Sequence, residues 1–330
     1  STAAVRALST AAVNALDTAQ IQSLTTAQTS VLSTTQVAAM TSAQVAALES
    51  TDVAALSSAQ VAVMNSAQAA AIETTDIAQL NTAAVRALST AAVAALGTDQ
   101  IAALTSSQIG MLSSTQAAAL NTAQAAAIET TDIAQLSTAA VRALTTAAIN
   151  ALGTDQIQAM TTAQISGLTT TQIAALNTAQ VAALESTDVA VLSSAQAAVF
   201  NTAQAAAIQT TDIAQLNTAA VRALSTAAVN ALGTDQIQAL TTAQTSALST
   251  TQVGALNTAQ VAALESTDVA TFSSAQVAVF NTAQAAAIET TDIGQLSTAA
   301  VRALSTAAVN ALGTDQIAAL TSTQVGALTS

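Results

Sequence analysis

The sequence predicts an all-α solenoid, with one short helix in each eight-residue unit and about three units to a coil. Three observations lead there. Every position divisible by eight, from Leu8 to Leu328, is Leu, Met, Ile or Phe, and no partial unit is inserted or lost. Each unit opens on a helix-capping pattern, as in Ser249-Thr250-Thr251-Gln252. A longer period carries Val-Arg-Ala-Leu, with Arg6, Arg86, Arg142, Arg222 and Arg302 spaced by 80, 56, 80 and 80 residues.

Octad positions are numbered here by remainder on division by eight, with the bulky residue at position 8. Position 1 ranges over Ser9, Asp17, Glu49, Asn65 and Gly97, and position 2 is always Ser or Thr. Position 4 is Gln, Asp or Ala, and position 5 is Val or Ile with exceptions such as Ala69 and Thr245. Position 7 is chiefly Ala. A position-1 side chain can accept from the backbone N–H three residues on, and a position-4 side chain can reach back to the cap. Gly97, Gly153, Gly233 and Gly313 stand at position 1, where a chain leaving one helix for the next suits glycine.

A single long helix does not fit, because eight residues advance it about 80° past two full turns, so the bulky column would spiral around it. A β-solenoid does not fit either, since the apolar spacings are five and three in an Ala-rich background. The expected helix spans positions 2 to 7, with a turn at positions 8 and 1. Six residues are too few to be helical alone, so neighbours must stack. Positions 8 and 5 then face inward, with Ala at 3 and 7 allowing close approach.

The number of octads per coil follows from the long period. The 80-residue super-repeat holds ten octads, and the copy of 56 has lost three without loss of phase. Glu49/Asp52 and Glu73/Asp76 are also offset by 24 residues, as are Glu265/Asp268 and Glu289/Asp292. Three octads per coil satisfy both. At ~8–10 Å between packed helices, about fourteen coils would make a rod somewhat over ~100 Å long. Residues 1–330 form one continuous array with no linker. A start at Ser1, inside repeat sequence, suits a piece of a longer protein.

Composition excludes several classes. Five Arg and no Lys, against a net charge of −13, cannot track nucleic-acid phosphates or an anionic membrane. No apolar run reaches the ~18 residues of a membrane span. There is no His, Cys, Tyr, Trp or Pro, and no enzymatic activity is expected, since nothing is present to activate a Ser or Thr nucleophile. The Glu-x-x-Asp pairs are Glu49/Asp52, Glu73/Asp76, Glu129/Asp132, Glu185/Asp188, Glu265/Asp268 and Glu289/Asp292. Glu49, Asp52, Glu73, Asp76, Glu265, Asp268, Glu289 and Asp292 are candidates for Ca²⁺, which needs 6–8 oxygen ligands. The competing account is a capping box with Asp in place of Gln. A repeated pair is a poor acid/base couple, because an active site is singular. No catalytic residue, cofactor site or metal is assigned.

The octads Leu168-Thr-Thr-Thr-Gln-Ile-Ala-Ala175 and Leu176-Asn-Thr-Ala-Gln-Val-Ala-Ala183 resemble arrays in very large bacterial secreted or surface proteins of adhesin type. The resemblance covers the whole chain. It implies an extracellular or cell-surface location and a filament, sheath or stalk role, and no functional residues carry over. The expected partner is the chain itself, end to end or side by side, with contacts to a cell surface or substratum. The alternative is a binding module for a regular surface such as ice, which would need Thr side chains pointing outward on a flat face.

Overall fold

The computed structural model describes residues 1–328 and contains forty-one short helices, with no strand among the described residues. Each helix begins at position 2 and runs four to seven residues, as in Thr74–Ile77, Thr34–Ala39 and Ser322–Leu328. The boundaries have local causes. Position 1 is an extended N-cap; Ser33, at φ −70° and ψ 158°, accepts from the Gln36 N–H through Oγ at 3.2 Å. Position 8 returns to extended backbone where the helix is longest, as at Leu104 with φ −63° and ψ 137°. One bend per octad thus needs only common backbone conformations.

The account of glycine is corrected. No described residue, glycine included, has a positive φ. Gly97 caps its helix at φ −72° and ψ 161°, and an added Cβ would meet only Gln100 Oε1 at 3.8 Å. Gly97→Ser is therefore expected to fold normally and to gain a few tenths of a kcal/mol. Thermal melts of the two proteins check this, and a loss of stability would contradict it.

Helices stack in columns at an interval of three octads. Thr74–Ile77 packs on Ser50–Ala54 behind it and on Thr98–Ala103 ahead of it, and the same step recurs within each of the chain's two compact units. Three octads close one coil. Positions 5 and 8 line its interior: Ile77, Ile133 and Leu192 are fully buried, as are Val53 and Leu56. Each coil thus buries about six apolar side chains at roughly 1.5–3 kcal/mol apiece where the residue is large. Position 3 is exposed rather than packed, as at Ala43 and Ala67. Position 4 is the unexpected interior position. From Gln36 onward its Gln, Asp and Ala side chains are buried, among them Gln108, Asp52 and Ala84.

The chain divides into two compact units, Ser1–Leu168 and Thr169–Ser330. Each is a helical solenoid of the same construction, and the octad pattern runs through Leu168 and Thr169 unchanged.

Candidate functional site

The recurring construction at position 4 is the most developed polar feature of the molecule. Gln164 illustrates it. Its backbone N–H is capped by Thr161 Oγ1 at 3.2 Å, and its Oε1 accepts from the Thr161 N–H at 2.7 Å, which completes a capping box. Its Nε2 then donates to Ile133 O at 2.9 Å and Leu136 O at 2.7 Å in the preceding coil. Those carbonyls close the helix four octads back: Ile133 O, which also accepts from the Leu136 N–H at 3.2 Å, is at its last residue, and Leu136 O is in the turn that follows. One buried amide therefore caps its own helix and closes the end of another. Gln108, Gln204 and Gln284 repeat the arrangement, each donating to carbonyls 31 and 28 residues earlier. Where position 4 is Ala, an Asn cap can substitute: Asn81 Oδ1 accepts from Ala84 N–H and Nδ2 donates to Leu56 O at 3.0 Å.

The inter-coil half of this tie was legible through one omission. A capping box accepts Glu as readily as Gln. All six Glu of the chain stand at position 1 and none at position 4. A carboxylate can accept from the cap but cannot donate to carbonyls, so Gln without Glu at this length of side chain points to a donor role for the amide where Gln stands.

The candidate carboxylates are separated rather than paired. Glu49, Glu73, Glu129, Glu185, Glu265 and Glu289 are exposed, while Asp52, Asp76, Asp132, Asp188, Asp268 and Asp292 are buried. The Glu side chains at 49, 73, 129, 265 and 289 make no cap hydrogen bond. Of these Asp residues only Asp188 reaches back, with Oδ2 3.4 Å from the Glu185 N–H. The capping box holds for Glu185/Asp188, while Asp76, Asp132 and Asp292 are engaged instead by contacts between coils. Ser50 donates to Asp76, Ser106 to Asp132 at 2.5 Å, Ser186 to Asp212, and Ser266 to Asp292. Among the described residues no group of three or more Asp or Glu is placed to hold a metal ion.

Acidic octads nevertheless stack in stripes of three coils. The helices after Glu49, Glu73 and Gly97 share one column, and Asp99 adds to the charge of that stripe. Glycine caps leave shallow recesses there. One, of about 430 Å³, is lined by Glu129, Thr130, Gly153 and Asp155, and a second, of about 530 Å³, by Glu289, Thr290, Gly313 and Asp315. They recur with the super-repeat and hold no nucleophile paired with a base.

The five Arg are exposed. Their spacing has a geometric consequence. Ten octads exceed three coils by one octad, and seven exceed two coils by one. Arg6, Arg86 and Arg142 therefore stand on three different columns of the first unit, and Arg222 and Arg302 on two columns of the second. Within either unit, a partner contacting one face meets this mark once at most, not in a row. For the ice alternative, position-1 hydroxyls are turned toward backbone, as Ser89 Oγ toward Ala92 N–H at 3.1 Å and Thr145 Oγ1 toward Ala148 N–H at 3.1 Å, whereas position-2 Thr such as Thr90 and Thr146 are exposed.

No helix among the described residues is long and apolar enough to cross a membrane. No curated protein matches the chain. A family model, the ALTTAQ repeat, matches residues 1–26, 45–71, 69–106, 125–162, 157–186, 205–242, 237–266, 261–298, 285–322 and 299–330. Together these stretches take in most of the sequence, and the chain belongs to the ALTTAQ repeat family.

Proposed function

We propose that this repeat protein is a mechanical element of an extracellular filament, sheath or adhesin stalk at a bacterial surface, and that it works by associating with further copies of itself. The observation that carries the proposal is the buried glutamine tie. Within each unit it joins successive coils by paired hydrogen bonds wherever position 4 is Gln, as at Gln108, Gln164 and Gln284, and gives way to other contacts over the Asp-Ala-Ala stretches such as Asp76, Ala84 and Ala92. A tie repeated along the chain distributes load instead of concentrating it at one interface. The surface supports the same role through its exposed Ser, Thr, Ala and Gln, with only 7% of residues charged; the net charge of −13 makes association stronger at higher salt. No chemical step belongs to this function. Contacts with a cell surface or substratum complete the proposed set of partners.

Negative-stain microscopy over a concentration series tests it. Filaments or lateral bundles that grow with concentration are the expected result. Particles that stay single at every concentration would remove self-association from the account. A thermal-hysteresis assay is expected to show no effect on ice growth, and a clear effect would favour the surface-binding alternative.

A further inference from the structure

We propose that Asp268 is a proton-operated joint between coils, loose as a carboxylate and closed as the acid. The position it occupies is the donor position of the fold. Elsewhere a Gln there donates to carbonyls 31 and 28 residues earlier, as Gln260 does to Val229 O and Leu232 O, both at 2.8 Å. For Asp268 the corresponding groups are the carbonyls of Ile237 and Leu240, which have no glutamine amide above them. Asp268 is 2% exposed, and its Oδ2 has no hydrogen-bond partner. A carboxylate accepts only, whereas the protonated form carries one O–H donor.

The neighbourhood is matched to this use. Position 5 is Val, Ile or Ala except at Thr29 and Thr245, both fully buried. Each precedes a buried Asp by 23 residues, Asp52 and Asp268, and both Asp have an unpartnered Oδ2. Thr245 lies beside the Asp268 carboxyl, and its single hydroxyl proton is contested between that carboxyl and Thr241 O, 3.0 Å away, so it satisfies the carboxyl only in part. Arg222 is exposed in a recess that Thr271 also lines and is not among the influences on the carboxyl, and the helix of the Ile237 carbonyl, Thr234–Gln238, carries Asp235. The helix of Asp268 itself begins at Glu265; the helix packed ahead carries Glu289 and Asp292; the helix packed behind, Thr242–Ala247, has no ionisable side chain. Asp292 is already satisfied by Ser266.

Burial pushes the Asp268 carboxyl up to about 6; Thr245 offsets part of this and the charge of Glu265 adds to it. Burial likewise raises Asp188 above its usual range. A carboxyl raised in the folded state adds stability that is complete below its ordinary value near 3.8 and is lost as pH rises through about 6. The joint therefore tightens between neutral and mildly acidic pH, the reverse of the usual carboxylate behaviour.

Hydrogen exchange of the full chain at pH 7.5 and pH 5, corrected for intrinsic rates, tests this. In the wild type, protection across Thr242–Ala247 and Ser266–Val269 is expected to rise about tenfold or more on acidification. Asp268→Asn, whose amide always donates, should show the higher protection at both pH values, while Asp315→Asn at an exposed site should respond as the wild type does. Unchanged wild-type protection, or a full pH response in Asp268→Asn, would overturn the proposal. Should the variant fail to fold, carboxyl ¹³C titration of Asp268 in the wild type decides: a midpoint near 6 supports the joint, and one in the ordinary carboxylate range contradicts it.

Discussion

Gln164→Glu is expected to destabilise the unit Ser1–Leu168 by about 2–4 kcal/mol at neutral pH, although the change is isosteric. The new carboxylate can still accept from the Thr161 N–H, so the capping half of the site survives. It cannot donate to Ile133 O and Leu136 O, which lie 2.9 and 2.7 Å from the present amide. Three oxygens would then face each other at a site only 2% exposed. Unpaired buried charge is among the few sources of a loss this large. Urea unfolding at pH 7 and pH 4 checks the prediction. The loss should shrink at pH 4, where protonation restores a donor; a loss equal at both pH values would mean that the amide proton is not what the position requires.

Phe272→Ala is expected to cost about 3–5 kcal/mol, because a thin aliphatic core has little with which to fill the space. Phe272 and Phe280 are 2% and 4% exposed and meet edge to face, with ring centroids 6.0 Å apart and an interplanar angle of 87°. Phe272→Leu should cost less than about 1.5 kcal/mol, since Leu is the usual residue of that column and the swap keeps most of the volume. Calorimetric melts of both variants test the pair of values. Similar losses for Ala and Leu would show that the edge-to-face contact, not the filled volume, holds that coil.

Much of the architecture was readable because its signals are local or strictly periodic. The bulky column marked the core, the Ser/Thr/Asn caps marked each helix start, and the shortened super-repeat fixed three octads per coil. What escaped had a sufficient local explanation already. The capping box accounted for Gln at position 4, so nothing pressed for a second role, and only the absence of Glu there hinted at one. The Glu-x-x-Asp pairs looked like surface motifs because both residues are acidic. The extended cap at Glu73 leaves that side chain in solvent, while the first turn of the helix lays Asp76 against the preceding coil. Glycine misled for a different reason: its backbone freedom is often why it is found at a bend, yet Gly153 and Gly313 bend as any residue could. Their effect is the recess left where a side chain is missing.

The most direct test of the stacking uses the complete absence of cysteine from the chain. In Ser50→Cys/Asp76→Cys the two thiols replace side chains that touch across adjacent coils. Mild oxidation should give an intramolecular disulfide in that protein, and little or none in Ser50→Cys/Gln68→Cys or Ser50→Cys/Ala84→Cys, where the second thiol stands one octad too early or too late. Efficient bridging in either of the latter two, with none at residues 50 and 76, would contradict three octads per coil and with it the register of every inter-coil tie.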